Sequence, residues 1–218
     1  MSEFTPPPPN CRRCPRLHHY IKSQRKPHPE WHNAPVDAAG PLDASLLIVG
    51  LAPGLKGANA TGRPFTGDSA GGYLYDMLGR FGMASGTYAG HANDGVELHD
   101  VRITNAVRCV PPQNKPTAYE ATRCRPYLQR ELAAMPNLGT VLALGKLAHD
   151  AVLRSYGLAL KAYPFAHASQ FSLPHNNGAT VQLISSYHCS RYNTQTGRLT
   201  DRMFSDIFKM ITGQSELS

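Results

Sequence analysis

The stretch from Leu46 to Asp68, LLIVGLAPGLKGANATGRPFTGD, constrains this chain more than any other. Leu46 to Val49 form a short aliphatic run without alternation that breaks at once into turn residues, the pattern of a buried parallel strand. Gly50, Pro53, Gly54, Gly57 and Gly62 follow, and a glycine, lacking Cβ, lets backbone come close to a ligand. A phosphate loop would need G-x-x-x-x-G-K-[ST], whereas Gly62 is followed by Arg63 and Pro64. No G-x-G-x-x-G opens a helix either, which sets a dinucleotide aside. The loop is predicted to face a different planar or anionic ligand.

Three further strand-like runs follow, at Val101–Val107, Thr140–Leu144 and Val181–Ser186. Helix-compatible segments alternate with them at about Gly71–Phe81, Ala118–Ala134, Lys146–Tyr156 and Thr200–Ile211. This alternation with short connections predicts an α/β fold, a central four-stranded, mainly parallel sheet flanked by helices in three layers. Residues 84–100 read as a polar, glycine-bearing loop, and residues 161–179 as an irregular stretch with room for a short strand. Each strand ends in unusual residues: GLAPG, NAVRCVPPQNKPT, GK and SYHCSRYNTQTGR. In open α/β sheets ligands bind outside the carboxyl ends of the strands, so these residues are predicted to converge on one edge.

Length and charge narrow the class. A chain of 218 residues is most simply one domain, here residues 11–218 behind a lead, residues 1–10, stiffened by Pro6 to Pro9. No apolar run reaches 18 residues, so no membrane span is predicted, and the N-terminus has no apolar signal core. The net charge of +7 favours a polyanionic partner, most often nucleic acid. No long amphipathic seam suggests a coiled coil, and a monomer is the expectation.

Five cysteines without a secretory signal point to a reducing compartment and to metal ligation rather than disulfides. Cys11 and Cys14 are spaced C-x2-C, and Cys109 and Cys124 form a wider pair. Together they could complete a four-sulfur shell, for an iron–sulfur cluster at least as readily as for a zinc ribbon. The plainer alternative is four unrelated buried thiols. Cys189, beside His188, is left over as a structural or site-lining residue.

The set GLAPG…GRPFTGD, AVRCVPPQNKPT and SYHCSRYNTQTGRLT, with the four outlying cysteines, resembles the iron–sulfur uracil-DNA glycosylases, and within them the family 5, or type B, branch. The family 4 branch carries an acidic residue after the first glycine, where this chain has Leu51. Family 5 chains instead have an aspartate after the glycine-rich loop, which Asp68 matches. Two departures are Gly54, where GLAPA is usual, and Cys189, where a proline usually follows the histidine. The resemblance implies a uracil-DNA glycosylase-like fold and a structural 4Fe-4S cluster on Cys11, Cys14, Cys109 and Cys124. It also implies base-excision repair of DNA containing uracil or other deaminated bases such as hypoxanthine, in the prokaryotic cytoplasm with the nucleoid. A rival from another class is a non-catalytic iron–sulfur or zinc module that binds damaged DNA.

Hydrolysis of an N-glycosidic bond assigns roles to the motif residues. His188, ending the last strand, is the candidate donor to the leaving base, as in an oxyanion hole. Asp68 is the candidate for orienting water and stabilising a cationic sugar, and it also has the position of a helix N-cap. Asn114 matches a family asparagine implicated in catalysis or base contact, and Asn105, at a strand end, is a second candidate for reading the base. Gly50, Leu51, Ala52, Pro53 and Gly54 should line the base site, with Phe65 stacking on a flipped ring. Arg191, Tyr192 and Asn193 suit entry into the duplex. Arg63, Lys115, Arg191 and Arg198, with backbone amides of the Ser190 turn, are the candidate phosphate contacts.

Overall fold

The computed structural model describes residues 4–175 and 178–214. Residues 215–218, at the end of the predicted domain, and 176–177, within the predicted irregular stretch, lie outside them. So do residues 1–3 of the proline-rich lead.

The central sheet has five strands rather than four. They are β1 (Leu46–Gly50), β4 (Val101–Asn105), β5 (Thr140–Leu144), β6 (Gln170–Pro174) and β7 (Thr180–Ser186), in the order β4-β1-β5-β7-β6. The first four are parallel, and β6 pairs antiparallel with β7. The additional strand lies in the 161–179 stretch. Only Leu173 of its five residues is fully buried, so as an edge strand it lacks the apolar run that announces its neighbours.

Every residue of β1 and β4 is buried because both faces of the sheet are covered. Leu46 and Ile48 face one core with Leu74 and Leu78 of α3 (Ser69–Arg80) and Phe204 and Phe208 of α7 (Asp201–Thr212). Leu47 and Val49 face the other with Leu128 and Leu132 of α4 (Ala118–Ala134) and Val152 of α5 (Lys146–Ser155). The predicted three layers are thus present. α4 begins in a reciprocal capping box between Thr117 and Glu120.

Several short elements escape prediction. Helix α1 (Pro15–Gln24) buries Leu17 and Ile21, one turn apart, and is fastened to α4 by two 2.7 Å bonds from Arg16 to Glu120. A one-turn helix, α2 (Ala58–Thr61), sits within the glycine-rich stretch. Within residues 84–100, β2 (Ala84–Ser85) and β3 (Glu97–Leu98) pair antiparallel. Finally, α6 (Arg191–Gln195) starts on a Ser190 N-cap. The proline-rich lead touches this body: Pro7 is buried, and Phe4 lies under the Arg102 guanidinium at 5.5 Å.

Register brings the four distinctive strand ends level. Gly50 stands opposite Asn105, Val49 opposite Ala143, and Leu144 opposite Ser186. The backbone continues the alignment one step beyond the sheet, with Ala106 N–H donating to Gly50 C=O and Val107 N–H to Leu51 C=O. The parallel strands therefore deliver their motifs to a single edge.

Candidate active site

At that edge a cavity of about 40 Å3 is lined by Ala52, Pro53, Gly54, Ala58, Phe65, Asp68, Ala70, Asn105 and His188. A wider one adjoins it, sharing Ala52, Gly54, Asp68, Ala70 and His188 and adding Leu51, Asn114, Ser190 and Arg191. Three of the four strand-end motifs thus meet in one place.

Asp68 caps α3, accepting Gly71 N–H at 2.9 Å through Oδ1. Its other oxygen, Oδ2, lies beside the glycine-rich loop. A Cβ on Gly54 would come within 3.2 Å of it, and one on Gly57 within 2.8 Å. The glycines leave the carboxylate its place, and capping engages only one of its two oxygens.

Phe65 is only 7% exposed and has a φ of 51°, a left-handed conformation that is a genuine outlier for a bulky residue. Strain of this kind persists where the surroundings hold it, and it concentrates at functional sites. Gly50 admits the ring: a Cβ there would lie 2.6 Å from Phe65 Cε2 and 2.5 Å from Asn105 Oδ1. The Phe65 and His188 rings face each other at 5.9 Å between centroids and 23° between planes.

His188 lies two residues beyond the end of β7. Its backbone C=O accepts Asn193 Nδ2–H at 2.8 Å, which ties it to α6. Its Nδ1 is buried without a hydrogen-bond partner among the described residues. Burial lowers the imidazole pKa, and the nearby Asp68 charge opposes that shift. The ring is therefore held towards its neutral form beside a polar cavity, with one ring nitrogen unspent.

The two asparagines separate by depth. Asn105 is 3% exposed and lines the inner cavity. Asn114 is exposed on the outer rim, in a left-handed conformation with φ of 56° beside Gln113 at 57°.

The expected phosphate contacts divide. Lys115, Arg191 and Arg198 are exposed, Arg198 lying over the Tyr187 ring at 4.7 Å. Tyr192, 71% exposed, is the projecting aromatic of α6. Arg63 is different. Its guanidinium makes two 2.7 Å bonds to Asp94, and the two side chains are 11% and 0% exposed. A buried charge already matched in this way is not a free phosphate cation, and Arg63 leaves that set. Cys189 is buried, its Sγ donating to Ala70 C=O at 3.5 Å, and burial pushes its thiol up to about 12. It is a core residue.

Tyr88, which accepts the Gly67 N–H, and Asp94, which pairs with Arg63, both lie in the 84–100 loop and were not singled out in the sequence. Neither stands in a periodic pattern or beside a motif.

The four remaining cysteines cluster as a separate group. Cys11, Cys14, Cys109 and Cys124 pack together with Leu17, Val107 and Tyr127 and line one small cavity. Arg13, Arg108 and Arg123 also border it. Among the described residues no group of three or more His, Cys, Asp or Glu side chains is set to hold a single metal ion. The thiols instead surround a common space. Burial and the neighbouring thiols push Cys14 up to about 11 and Cys109 higher still. Cys124 Sγ accepts the Arg108 N–H at 3.4 Å. Four sulfurs facing one cavity with arginines at its border suit a polynuclear anionic centre.

With this geometry in view, comparisons with known proteins agree. A family model described as the uracil DNA glycosylase superfamily matches residues 38–212. The chain is 41% identical over 203 residues to a type-5 uracil-DNA glycosylase of Thermus thermophilus, covering 90% of each chain. It is 40% identical over 205 residues to a type-5 uracil-DNA glycosylase of Pyrobaculum aerophilum, covering 92% of this chain and 87% of the relative. A type-4 uracil-DNA glycosylase of the same organism matches at 34% over 149 residues, 68% of this chain and 62% of the relative.

Proposed function

The chain belongs to the uracil-DNA glycosylase superfamily, in its type-5 branch, and from that premise we propose that it removes uracil from DNA by hydrolysis between Asp68 and His188. It is a hydrolase of the N-glycosidic bond. The observation that carries the assignment of roles is the shared cavity, where His188 and Phe65 face each other and Asp68 stands at the glycine-rich loop.

A paired base is out of reach, so it must leave the duplex at a cost of a few kcal/mol. Stacking on an aromatic ring returns about 1–3 kcal/mol per base, comparable with that cost but not clearly above it. Further contacts are therefore needed. Tyr192 is the wedge that fills the vacated space, and Arg191, Lys115 and Arg198 with the Ser190 turn hold phosphates. Asn105, inside the cavity, reads the base edge, while Asn114 contacts the nucleotide from the rim.

In the reaction the C1′–N1 bond breaks with its electron pair leaving on the uracil ring, where O2 gathers charge. A neutral His188 N–H donates to that oxygen. Removing a donor of this type costs about 100- to 1000-fold in rate. The Asp68 oxygen not used for capping orients water, accepts its proton as the water oxygen bonds to C1′, and offsets positive charge on the sugar.

Cys11, Cys14, Cys109 and Cys124 fit a 4Fe-4S cluster, which would supply a covalent staple rather than electrons, since hydrolysis transfers none. The cysteines would tie the segment before α1 to the loop after β4 and to α4. The chain would then act as one domain, with residues 1–10 as its lead. Among the described residues no helix is long and apolar enough to cross a membrane. The rival reading, a non-catalytic metal module binding damaged DNA, is disfavoured because the relatives are named as glycosylases.

The test is product identification. Incubated with a uracil-containing duplex, the protein should yield free uracil and an abasic strand while leaving free deoxyuridine intact. Cleavage of the nucleoside alone would point instead to a nucleoside hydrolase.

A further inference from the structure

The catalytic loop Arg63–Asp68 is held from behind by the 84–100 loop. Tyr88 Oη accepts the Gly67 N–H at 3.0 Å and lies 3.5 Å from Phe65 C=O, to which it donates. One hydroxyl therefore bridges the C=O of the strained residue Phe65 and the N–H of Gly67, the residue before Asp68. The phenol ring is itself fixed. It stacks on Tyr75 at 4.9 Å and 17°, and the Arg63 guanidinium lies over both rings, 4.9 Å from Tyr75 and 5.8 Å from Tyr88.

Arg63 is locked in turn. Its two terminal nitrogens bond Asp94, and its Nε bonds Thr66 Oγ1 at 2.8 Å within the catalytic loop. Asp94 also accepts the N–H groups of Ala89, at 3.0 Å, and Val96, at 3.2 Å. These bonds close the 84–100 loop around its own carboxylate. The approach is close: a Cβ on Gly71 would come within 1.8 Å of Phe65 C=O and 2.7 Å of Tyr88 Oη. No apolar contact would require a tyrosine hydroxyl at this point.

We infer that Tyr88, braced by the Arg63–Asp94 pair, is a positioning residue for base excision that sets Asp68 through the Gly67 amide. The inference rests on the function proposed above and deepens it. Tyr88 lines neither cavity that holds Asp68 and His188, so it acts through the loop rather than on substrate. A carboxylate misplaced by 1 Å costs about 100-fold. Loss of one hydrogen bond in its support is expected to cost less, about 3- to 10-fold.

The experiment compares Tyr88→Phe with wild type. This variant keeps the stack on Tyr75 and the contact with Arg63 and loses only the hydroxyl. Single-turnover uracil release at saturating enzyme should fall about 3- to 10-fold, while the duplex Kd stays within about two-fold. In an Asp68→Asn background, which keeps a helix cap, the same substitution should cost less than about two-fold, because the positioned carboxylate is gone. Hydrogen exchange of the Gly67 amide should quicken in Tyr88→Phe. An unchanged rate, or equal losses in both backgrounds, would overturn the inference. Wild type that released no uracil would defeat the proposed reaction instead, and Gly67 exchange would still judge the clamp: quickened exchange upholds it, and unchanged exchange overturns it.

Discussion

Asp68 Oδ2 occupies space that a side chain on Gly57 would invade, since a Cβ there would stand 2.8 Å from it and 3.3 Å from Thr66 C=O. The glycine-rich loop is thus shaped to leave a carboxylate in place, with no phosphate required. Gly57→Ala should push that carboxylate by some tenths of an ångström. Uracil release should slow about 5- to 50-fold, scaled from the roughly 100-fold cost of a 1 Å misplacement, with duplex binding little changed. Single-turnover kinetics beside a binding isotherm would check this, and wild-type rates would show that the loop tolerates the methyl.

Burial moves His188 below its ordinary pKa, and the sign of the effect on rate follows. A depressed folded value keeps the imidazole neutral below the usual value of about 6.5. The rate of base release should therefore hold level as pH falls past 6.5 and decline only below it. A profile that drops through 6.5 would mean an ordinary, solvated histidine.

Glu131 of α4 is the buried counter-charge for two strand-side arginines. It bonds Arg102 Nε at 2.7 Å and also Arg108, with Thr104 Oγ1 donating at 3.0 Å. Glu131→Gln leaves buried guanidinium charge uncompensated, which costs about 3–5 kcal/mol. The thermal midpoint should fall by about 10 °C, given about 2–4 °C per kcal/mol at this chain length. By contrast, the exposed Arg80–Asp201 pair should cost at most about 1 kcal/mol when Asp201→Asn removes it. Calorimetry on both variants checks the contrast, and equal midpoints would refute it.

Cys11→Ala should lower bound iron and the thermal midpoint together, while uracil release per folded molecule stays within a few-fold of wild type. Metal analysis alongside an active-site titration gives both numbers. A fully stable, iron-free and fully active variant would contradict the stapling role.

Much of this was legible in the sequence because the parallel strands are buried on both faces. Continuous apolar runs such as Leu46–Val49 are hard to mistake, and α4 falls at its predicted residues, Ala118–Ala134. Strand β6 was legible only as room for a short strand within residues 161–179, not as a fifth member of the sheet, because an edge strand exposed along most of its length carries no such run. Asp68 and His188, singled out in the sequence, line one cavity, whereas Arg63, expected at phosphate, is paired with Asp94. An arginine in a motif looks the same whether it faces solvent or a carboxylate 31 residues away. Asn105 and Asn114 could not be ranked until register and depth separated floor from rim.

The most direct test of the account is single-turnover uracil release from a duplex by wild type, Asp68→Asn and His188→Ala, with duplex affinity measured for each. Wild type should release uracil. Both variants should bind the duplex within a few-fold of it and release the base at least about 100-fold more slowly. Wild type that binds the duplex and releases no base, or variants that keep its rate, would contradict the site assigned to Asp68 and His188.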